Sequence, residues 1–356
     1  MRVERSNSHI DIMPREKEDM DGESSAQNPA LPSETRSSTA PTPQKSFMGR
    51  IYHPLGFTKA YNFGLFVVFA GALMGFTLAR LPFLDIDGVF CSNSAGSSPA
   101  SSATRHAAPG ECFYYSAAGS LERIGIIIHL ATVLPAAFLA CFQFVPAIRR
   151  RTAAHRANGY VVLLLSTVGA ASAFPVARRA FGGTLATQTG VGFLGIAFLA
   201  SLALAYANIR RRQIEQHRAW MLRAWFYAGS IVTARLIMFL AAYVVTAVGG
   251  YYMPEPCAKV ASLVGGRDAM LARYPECAAF YSGTNPDQHA LVAASMTLGR
   301  PESVGAAIDL SFGAAMWLAL ALHAVGIEIY PRPRGCGKNL TSGSSNRAWR
   351  TPGRPG

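Results

Sequence analysis

Charged residues are scarce in this chain, and acidic ones are the scarcest. Only 15% of its 356 residues are charged and half are apolar, whereas about a quarter of an average soluble domain is charged. A net charge of +13 would suggest nucleic acid in a soluble protein. Here nine arginines lie in two short loops between apolar runs, and six more basic residues follow position 330. This is the positive-inside pattern of a multi-pass membrane protein, which argues against a nucleic-acid partner.

Two kinds of motif are also missing. The sequence has no Asp-rich diphosphate motif of the DDxxD kind and no His/Cys cluster at metal-ligand spacing. We therefore expect no metal and no redox cofactor, and an activity that is insensitive to chelators. No cleavable signal peptide opens the chain; residues 1–58, rich in Ser, Pro, Glu and Lys, are expected to form a disordered cytosolic tail.

Six apolar runs predict an all-α, polytopic membrane helix bundle over residues 59–330, followed by a basic cytosolic tail over 331–356. The runs cover about 63–81, 124–148, 159–176, 190–207, 224–248 and 303–327. Two of them follow an arginine-rich loop that contains a His-Arg pair, which indicates a parallel repeat of two helical hairpins. An even number of spans places both termini and both arginine loops on one side of the membrane, the cytosolic one.

The opposite side is expected to carry two segments, 82–120 and 249–302, which together hold four of the six cysteines. These are Cys91, Cys112, Cys257 and Cys277. Disulfides persist in the lumen of the endoplasmic reticulum, so the cysteines agree with the arginine loops in predicting a multi-pass protein of that membrane. Three pairings are possible, and the two within-segment pairs are favoured only by proximity.

Ionisable residues inside a span cost about 2.5 to 3.5 kcal/mol on insertion scales, so each one suggests a partner or a function. Arg235 is the deepest, about 16 Å along the fifth span. Its rigid guanidinium suits a carboxylate or a phosphate, and a structural pair with Asp309 or Glu122 is one reading. Glu122 shares a helical face with His129 and Gln143 at heptad spacing. Glu122 as an interfacial residue and His129 as a packing residue are the alternatives.

Three classes of function remain open at this point. A transmembrane haem carrier needs histidine pairs on facing helices at one depth. His129 has no such partner in its half of the bundle, and His323 could pair only with His217, which lies outside the spans. A transporter is a second class, although no inverted repeat with broken helices is visible. The third class is an enzyme that acts on a lipid within the bundle.

Two motifs favour the third class. HRANG at 155–159 and HRAWMLR at 217–223, with Arg235 further along, resemble a large family of multi-pass proteins with HRxxG and HRxWMxR motifs. Among fungal members the chain resembles the membrane-bound terpene cyclases of ascochlorin and ascofuranone biosynthesis. The resemblance covers about residues 120–245.

This resemblance implies acid-initiated cyclisation of an epoxidised farnesyl chain on a prenylated phenolic substrate, with a possible hand-off from an epoxidising monooxygenase. Such chemistry needs a protonated carboxyl in a water-poor cavity and a base that removes the final proton. Glu122 is the expected acid, Asp309 its rival, Arg235 the positioning group and His129 the proton acceptor. The candidate substrate contacts are Gln143, His217, Arg218, Trp225 and Tyr227. His217 could instead cap a helix or contact a lipid head group. Trp225 and Tyr227 could simply be aromatic residues that pack at the membrane interface.

Overall fold

The computed structural model describes residues 47–91 and 107–329. Residues 1–46 and 331–356, which make up most of the two predicted tails, lie outside this part of the chain. The last residues of the predicted N-terminal tail include a short helix, α1.

The described chain is mainly helical. Its α-helices are α1 Phe47–Tyr52, α2 Ala60–Arg80, α3 Glu111–Tyr115, α4 Leu121–Gln143, α5 Pro146–Arg150, α6 Thr152–Ala177, α7 Leu185–Arg210, α8 Ile214–Val248, α9 Cys257–Val264, α10 Arg267–Arg273, α11 Ala278–Tyr281 and α12 Pro301–Ile329. Shorter helical turns occupy Leu81–Leu84, Ile86–Phe90, Ala180–Gly183 and Pro275–Cys277. Two strands, β1 Tyr252–Pro256 and β2 His289–Ala293, form an antiparallel ribbon.

Six of these helices, α2, α4, α6, α7, α8 and α12, are long and apolar enough to cross a membrane. The predicted all-α bundle with six spans is confirmed. The second span ends at Gln143 rather than 148, because Pro146 opens the separate helix α5 and disfavours a helical conformation before it. Helix α8 begins at Ile214, so the arginine loop before the fifth span is already partly helical.

The centre of the bundle is formed by α8 and α12, with α7 beside them. Small residues permit the close approach: a Cβ atom added at Gly313 would lie 2.7 Å from the Cβ of Ala186 on α7. One buried cluster joins Ala234 and Met238 of α8 to Phe312 and other residues of α12. Because small side chains bring helix backbones together, this pairing gives the site described below a firm support.

The side of the bundle that carries the cysteines is called the disulfide side here. Cys91 is bonded to Cys112, and Cys257 to Cys277, which are the two within-segment pairs. The segments also pack on each other. Gly110 has a φ of +90°, and a Cβ added there would lie 2.3 Å from Cε of Lys259. Only glycine allows the two segments to meet this closely.

At the opposite end, the arginine-loop side, one hydrogen bond joins the two helices of each hairpin. Gln143 Nε2 donates to the carbonyl oxygen of His155 at 3.2 Å, which joins α4 to α6. Nδ1 of His217 lies 2.9 Å from the carbonyl oxygen of Ala205, which joins α8 to α7. Both bonds connect residues twelve positions apart. Each of the two hairpins around an arginine loop is thus closed by a bond between a side chain and a backbone carbonyl.

Candidate functional site

A group of buried charged residues lies on the disulfide side, where α3, β1, α9 and α12 meet. This buried charge cluster consists of Glu111, Glu255, Lys259 and Asp309. Nζ of Lys259 lies 2.8 Å from Oε2 of Glu255 and 2.7 Å from Oδ2 of Asp309. The residues are 4%, 4%, 2% and 0% exposed, respectively. Isolated charges at this depth cost several kcal/mol each, so the cluster holds together only while its members are paired.

Local structure explains why these side chains point inward. Successive side chains of a strand point to opposite faces, and in β1 those of Met253 and Glu255 point to the interior. Helix α9 then begins at Cys257, which is fixed by its disulfide bond, and places Lys259 on its buried face. Asp309 follows a run of small buried residues on α12. Burial lowers the pKa of Lys259, but the charges of Asp309 and Glu255 outweigh it, so the pKa lies above its ordinary value.

Glu111 differs from the other two acids because no cation lies within ion-pair distance of it among the described residues. Its Oε1 accepts the backbone N–H of Phe181 at 2.7 Å, and its Oε2 accepts the hydroxyl of Tyr115 at 3.3 Å. Burial raises the pKa of the Glu111 carboxyl, and the charge of Lys259 only partly offsets this rise. Glu111 is therefore the acid of the cluster that no ion pair holds in its charged form.

The turn between α6 and α7 brings an aromatic ring to this acid. Phe181, Gly182 and Gly183 have φ values of +50°, +72° and +54°, all in the left-handed region. That region is uncommon for a residue such as phenylalanine. Two contacts hold Phe181 there: the hydrogen bond to Glu111 and a ring stack on Phe312 with centroids 4.2 Å apart. A Cβ at Gly182 would lie 2.9 Å from that of Asp309, so the turn closes directly over the cluster.

Arg235 lies against the same two rings. Its guanidinium carbon is 4.2 Å from the ring centre of Phe181 and 5.2 Å from that of Phe312. The ion pairs that the sequence suggests between Arg235 and Asp309 or Glu122 are not formed. Asp309 pairs with Lys259, and the cation beside Glu122 is Arg179. Within the described residues Arg235 makes no hydrogen bond and no ion pair, so its N–H groups remain available to a ligand.

His129 faces this region from α4. Its Nδ1 lies 2.9 Å from the carbonyl oxygen of Gly169 on α6. Because a carbonyl can only accept, Nδ1 carries the proton and Nε2 is left as a proton acceptor. The sequence analysis placed Arg235 beside Glu122, with His129 on the same face as that acid; Glu111 is an acid that it omitted.

Glu122 lies at the edge of this arrangement. It is in the first turn of α4, its side chain is 28% exposed, and its Oε1 is 3.9 Å from Nε of Arg179. His129 is one heptad below it as expected, but Gln143 lies at the other end of α4, where it binds the backbone of His155. The heptad face therefore does not bring the three side chains together.

The remaining predicted contacts lie in the arginine-loop half of the bundle. Trp225 packs edge-on against Phe198, with ring centroids 5.8 Å apart, and its position is ten residues before Arg235, about 15 Å along α8. Arg218 pairs with Glu215 at 3.0 Å on the surface. His217 binds α7, and the carbonyl of Tyr227 accepts the hydroxyl of Ser230. Trp225 and His217 thus connect α8 to α7, and none of these contacts involves the buried charge cluster.

His323 is engaged at both ring nitrogens. Nε2 lies 2.8 Å from Oγ1 of Thr233, and Nδ1 lies 2.6 Å from the carbonyl oxygen of Phe226. Both partners belong to α8, so His323 ties α12 to α8. With both nitrogens in use, it is a packing residue in this structure.

The sequence reading missed Glu111, Glu255, Lys259 and Phe181, because all four lie in segments that looked like ordinary extramembrane loops. A signal was nevertheless present. Glu111 directly precedes Cys112, while Glu255 and Lys259 each stand two residues from Cys257. A disulfide-bonded cysteine is often buried, and neighbouring charged residues are then carried into the interior with it.

Comparison with known proteins agrees with a membrane protein of this kind. A protein-family model described as "Predicted membrane protein (DUF2306)" matches residues 126–265, which include both motifs. The chain is also similar to "Ava biosynthesis cluster protein G" of Aspergillus versicolor. The two are 27% identical over 318 residues, covering 78% of this chain and 89% of the relative. No solved structure matches. These likenesses fit the broad multi-pass family that the two motifs indicate.

Proposed function

We propose that this protein is a membrane-bound biosynthetic enzyme that cyclises an oxygenated prenyl chain by protonating it at the disulfide side of the bundle. The finer assignment, a terpene cyclase acting on an epoxidised farnesyl chain, rests on the motif resemblance together with the arrangement around Arg235. The relative from A. versicolor is named as a product of a biosynthesis cluster, which supports a role in the same kind of pathway.

The observation that carries the proposal is the state of Arg235. A permanently charged guanidinium lies within a span beside two aromatic rings, and no acceptor contacts its N–H groups among the described residues. An ionised group in a span is a functional candidate by default. A substrate oxygen would complete its hydrogen bonding. Arg235 therefore anchors the oxygen-bearing end of an otherwise apolar molecule.

Glu111 then acts as the acid. Its proton passes to the epoxide oxygen, the C–O bond breaks, and a double bond of the prenyl chain supplies the electrons for the new ring bond. The resulting cation loses a proton to a base, for which Nε2 of His129 is available. The proton gained equals the proton lost, so the reaction is an isomerisation and needs no co-reactant.

Glu111 is favoured over the two acids that the sequence suggested. Asp309 is bound by the ammonium of Lys259, which stabilises its charged form. Glu122 is partly exposed and lies beside Arg179 at the edge of the bundle, not in the buried interior where the cyclisation is proposed to occur. Only Glu111 combines deep burial with the absence of an ion pair among the described residues.

The test uses microsomes that contain equal amounts of wild type, Glu111→Gln, Glu122→Gln and Asp309→Asn, supplied with an epoxy-farnesyl phenol. We expect Glu111→Gln to abolish ring formation, because the amide keeps the shape but has no acidic proton, while Glu122→Gln retains most activity. Asp309→Asn is expected to lower protein abundance by disturbing Lys259. Rates are therefore normalised to protein that runs as a single peak in detergent.

If Glu111→Gln forms the ring at the wild-type rate, Glu111 is not the proton donor. If only Glu122→Gln loses ring formation, Glu122 is the proton donor. If the wild type forms no ring from any epoxy-prenyl substrate, the cyclase assignment fails. Counterflow of the same substrate across proteoliposomes would then favour a transporter.

A further inference from the structure

Arg80, the last residue of α2, is a second arginine without an acceptor, and the mechanism proposed above does not use it. Its guanidinium carbon lies 4.8 Å from the ring centre of Phe83 and 5.3 Å from that of Phe76. Phe83 is buried, and Arg80 itself is only partly exposed, so its head packs on the protein. Within the described residues its guanidinium makes no hydrogen bond and no ion pair. A ring attracts the charge but does not replace hydrogen-bond acceptors, so the N–H groups of Arg80 remain available, like those of Arg235.

Arg80 and Arg235 lie at nearly the same depth on neighbouring helices. Both α2 and α8 run from the arginine-loop side to the disulfide side, and the rings of Phe69 and Phe226 join them with centroids 4.7 Å apart. Arg80 is eleven residues beyond Phe69, and Arg235 is nine residues beyond Phe226. These separations correspond to about 16.5 Å and about 13.5 Å along the two helices, so the two levels differ by about 3 Å. The charge of Arg80 also acts on that of Arg235.

Helix α4 brings His129 to the same level. Sγ of Cys141 on α4 lies 3.6 Å from the carbonyl oxygen of Ala70 on α2, which relates the depths of these two helices. His129 is twelve residues before Cys141, about 18 Å toward the disulfide side, and Arg80 is ten residues after Ala70, about 15 Å in the same direction. A molecule held by the two arginines is therefore close in depth to the base of the proposed cyclisation.

The space beside α2 is accessible from the bilayer. Only 6% of the most apolar part of this span is buried in the protein, against 17% to 44% for the other five spans. A Cβ added at Gly64, Gly71 or Gly75 would meet no atom within 4 Å. An apolar chain can therefore lie against α2, with its polar end at the level of the arginines.

We propose that Arg80 and Arg235 together bind one oxyanionic head group, a carboxylate or a phosphate, of an amphiphile whose apolar chain extends toward the bilayer. Two guanidinium groups at one level repel each other, and an anion between them removes the repulsion and supplies acceptors to both planar forks. Glu111 does not fill this role, because its oxygens accept the N–H of Phe181 and the hydroxyl of Tyr115. The inference names the class of molecule that Arg235 anchors, and it rests on the proposed function only in taking that molecule to be the substrate.

The first experiment measures binding and does not require turnover. Purified full-length protein in phosphatidylcholine nanodiscs is supplied at pH 9 with sixteen-carbon compounds that differ in the head group: hexadecanoate, hexadecyl phosphate, hexadecanol and hexadecyltrimethylammonium. Tm is followed against the mole fraction of each compound in the disc. We expect the two anions to raise Tm with half-maximal effect at a mole fraction at least about tenfold lower than the alcohol or the cation. An equal effect of the alcohol, or no effect of either anion, would overturn the proposal.

Variants then assign the contacts. Arg80→Gln and Arg235→Gln should each raise the half-maximal mole fraction of hexadecanoate at least about tenfold. The matched control, Arg178→Gln, removes an exposed arginine that follows α6 on the same side of the molecule, and it should change nothing. Equal losses in all three variants would mean a general attraction to a basic surface and would refute the site. If Arg235→Gln does not fold, the comparison of Arg80→Gln with Arg178→Gln still decides.

The double variant Arg80→Gln/Arg235→Gln tests whether one head group contacts both arginines. Its loss of affinity should be smaller than the product of the two single losses, because each arginine binds the anion best while the other holds it in place. Losses that multiply would mean two separate sites and would contradict the shared one.

The last arm separates the two sources of such a head group. Phosphatidylglycerol replaces part of the phosphatidylcholine in the discs. If it raises the Tm of wild type but not of Arg80→Gln, and hexadecanoate then adds nothing, the head group belongs to a membrane phospholipid. If hexadecanoate raises Tm equally in both kinds of disc, the ligand is a single-chain molecule. Anion binding by a protein that cyclises no substrate would leave the site intact and refute the proposed function alone, whereas cyclisation without anion binding would do the reverse.

Discussion

The guanidinium carbon of Arg235 lies 4.2 Å from the ring centre of Phe181, and the backbone N–H of Phe181 donates to Glu111. One residue in a strained turn therefore connects the cation of α8 to the acid of α3. The planar guanidinium can stack on such a ring, which the ammonium of a lysine cannot do in the same way. This geometry distinguishes arginine from lysine at position 235.

Arg235→Lys is expected to lower the cyclisation rate at least about tenfold, equivalent to about 1.4 kcal/mol, with little change in Tm. Lysine keeps the charge but loses the planar fork and most of the stacking on the two rings. The measurement is initial rate with an epoxy-prenyl substrate beside thermal unfolding in the same detergent. A lysine variant as active as wild type would mean that charge alone matters at this position.

Lys259→Met is expected to destabilise the protein by about 3 to 5 kcal/mol, because it leaves Asp309 and Glu255 buried without their cation. Unfolding by a denaturing detergent, followed by near-UV circular dichroism, measures the loss. Lys59→Met, a change at an exposed lysine just before α2, is the control and should be close to neutral. Adding Asp309→Leu to Lys259→Met should recover part of the stability, since it removes one of the stranded charges.

The same lysine predicts a dependence on alkaline pH. The pKa of Lys259 is raised in the folded state, so its contribution to stability is fully present below its ordinary pKa of about 10.5 and is lost as the pH rises above that value. Tyrosines titrate in the same range, so the quantity to measure is the difference in unfolding free energy between wild type and Lys259→Met at each pH. That difference should be constant from pH 8 to 10 and shrink at pH 11. A constant difference over the whole range would contradict the raised pKa.

The disulfide bonds and the expected orientation predict a labelling pattern. In sealed microsomes a membrane-impermeant maleimide should not modify Cys91, Cys112, Cys257 or Cys277. Labelling at all four should require both a reductant and a detergent. A cysteine placed at Arg151, in the first arginine loop, should be labelled without either. If that position is protected, or if the four cysteines react without detergent, the expected orientation is wrong; reaction without a reductant would instead contradict the disulfide bonds.

The number of spans could be predicted from the sequence because each span is an uninterrupted apolar run long enough to cross a bilayer. Its ends were harder to predict. Helix α8 begins at Ile214, before the predicted start of the fifth span. Hydropathy marks where a helix enters the hydrocarbon, whereas helical hydrogen bonding can start earlier. The pairing of the cysteines depends on their distances in the folded chain. The sequence alone therefore left three pairings open.

The site was only partly predictable. Arg235 and His129 could be found because an ionisable residue stands out in an apolar run. Their neighbours could not, since Phe181 reaches Arg235 only through a left-handed turn, and Glu111 follows a glycine that allows two loops to touch. The burial of Lys259 could not be predicted for a related reason. A lysine in a loop is normally solvated, and only tertiary packing buries this one.

The position of Glu111 beside Cys112, and of Lys259 two residues after Cys257, has a consequence for how the protein matures. Integration of the six spans depends on hydropathy alone and can be completed while the thiols are still reduced. Each bridge closes a loop that contains one of these charged residues, so we expect Glu111 and Lys259 to reach their buried positions only after both bridges have closed. Under the proposed function, newly inserted chains would then be inactive until their disulfide bonds form.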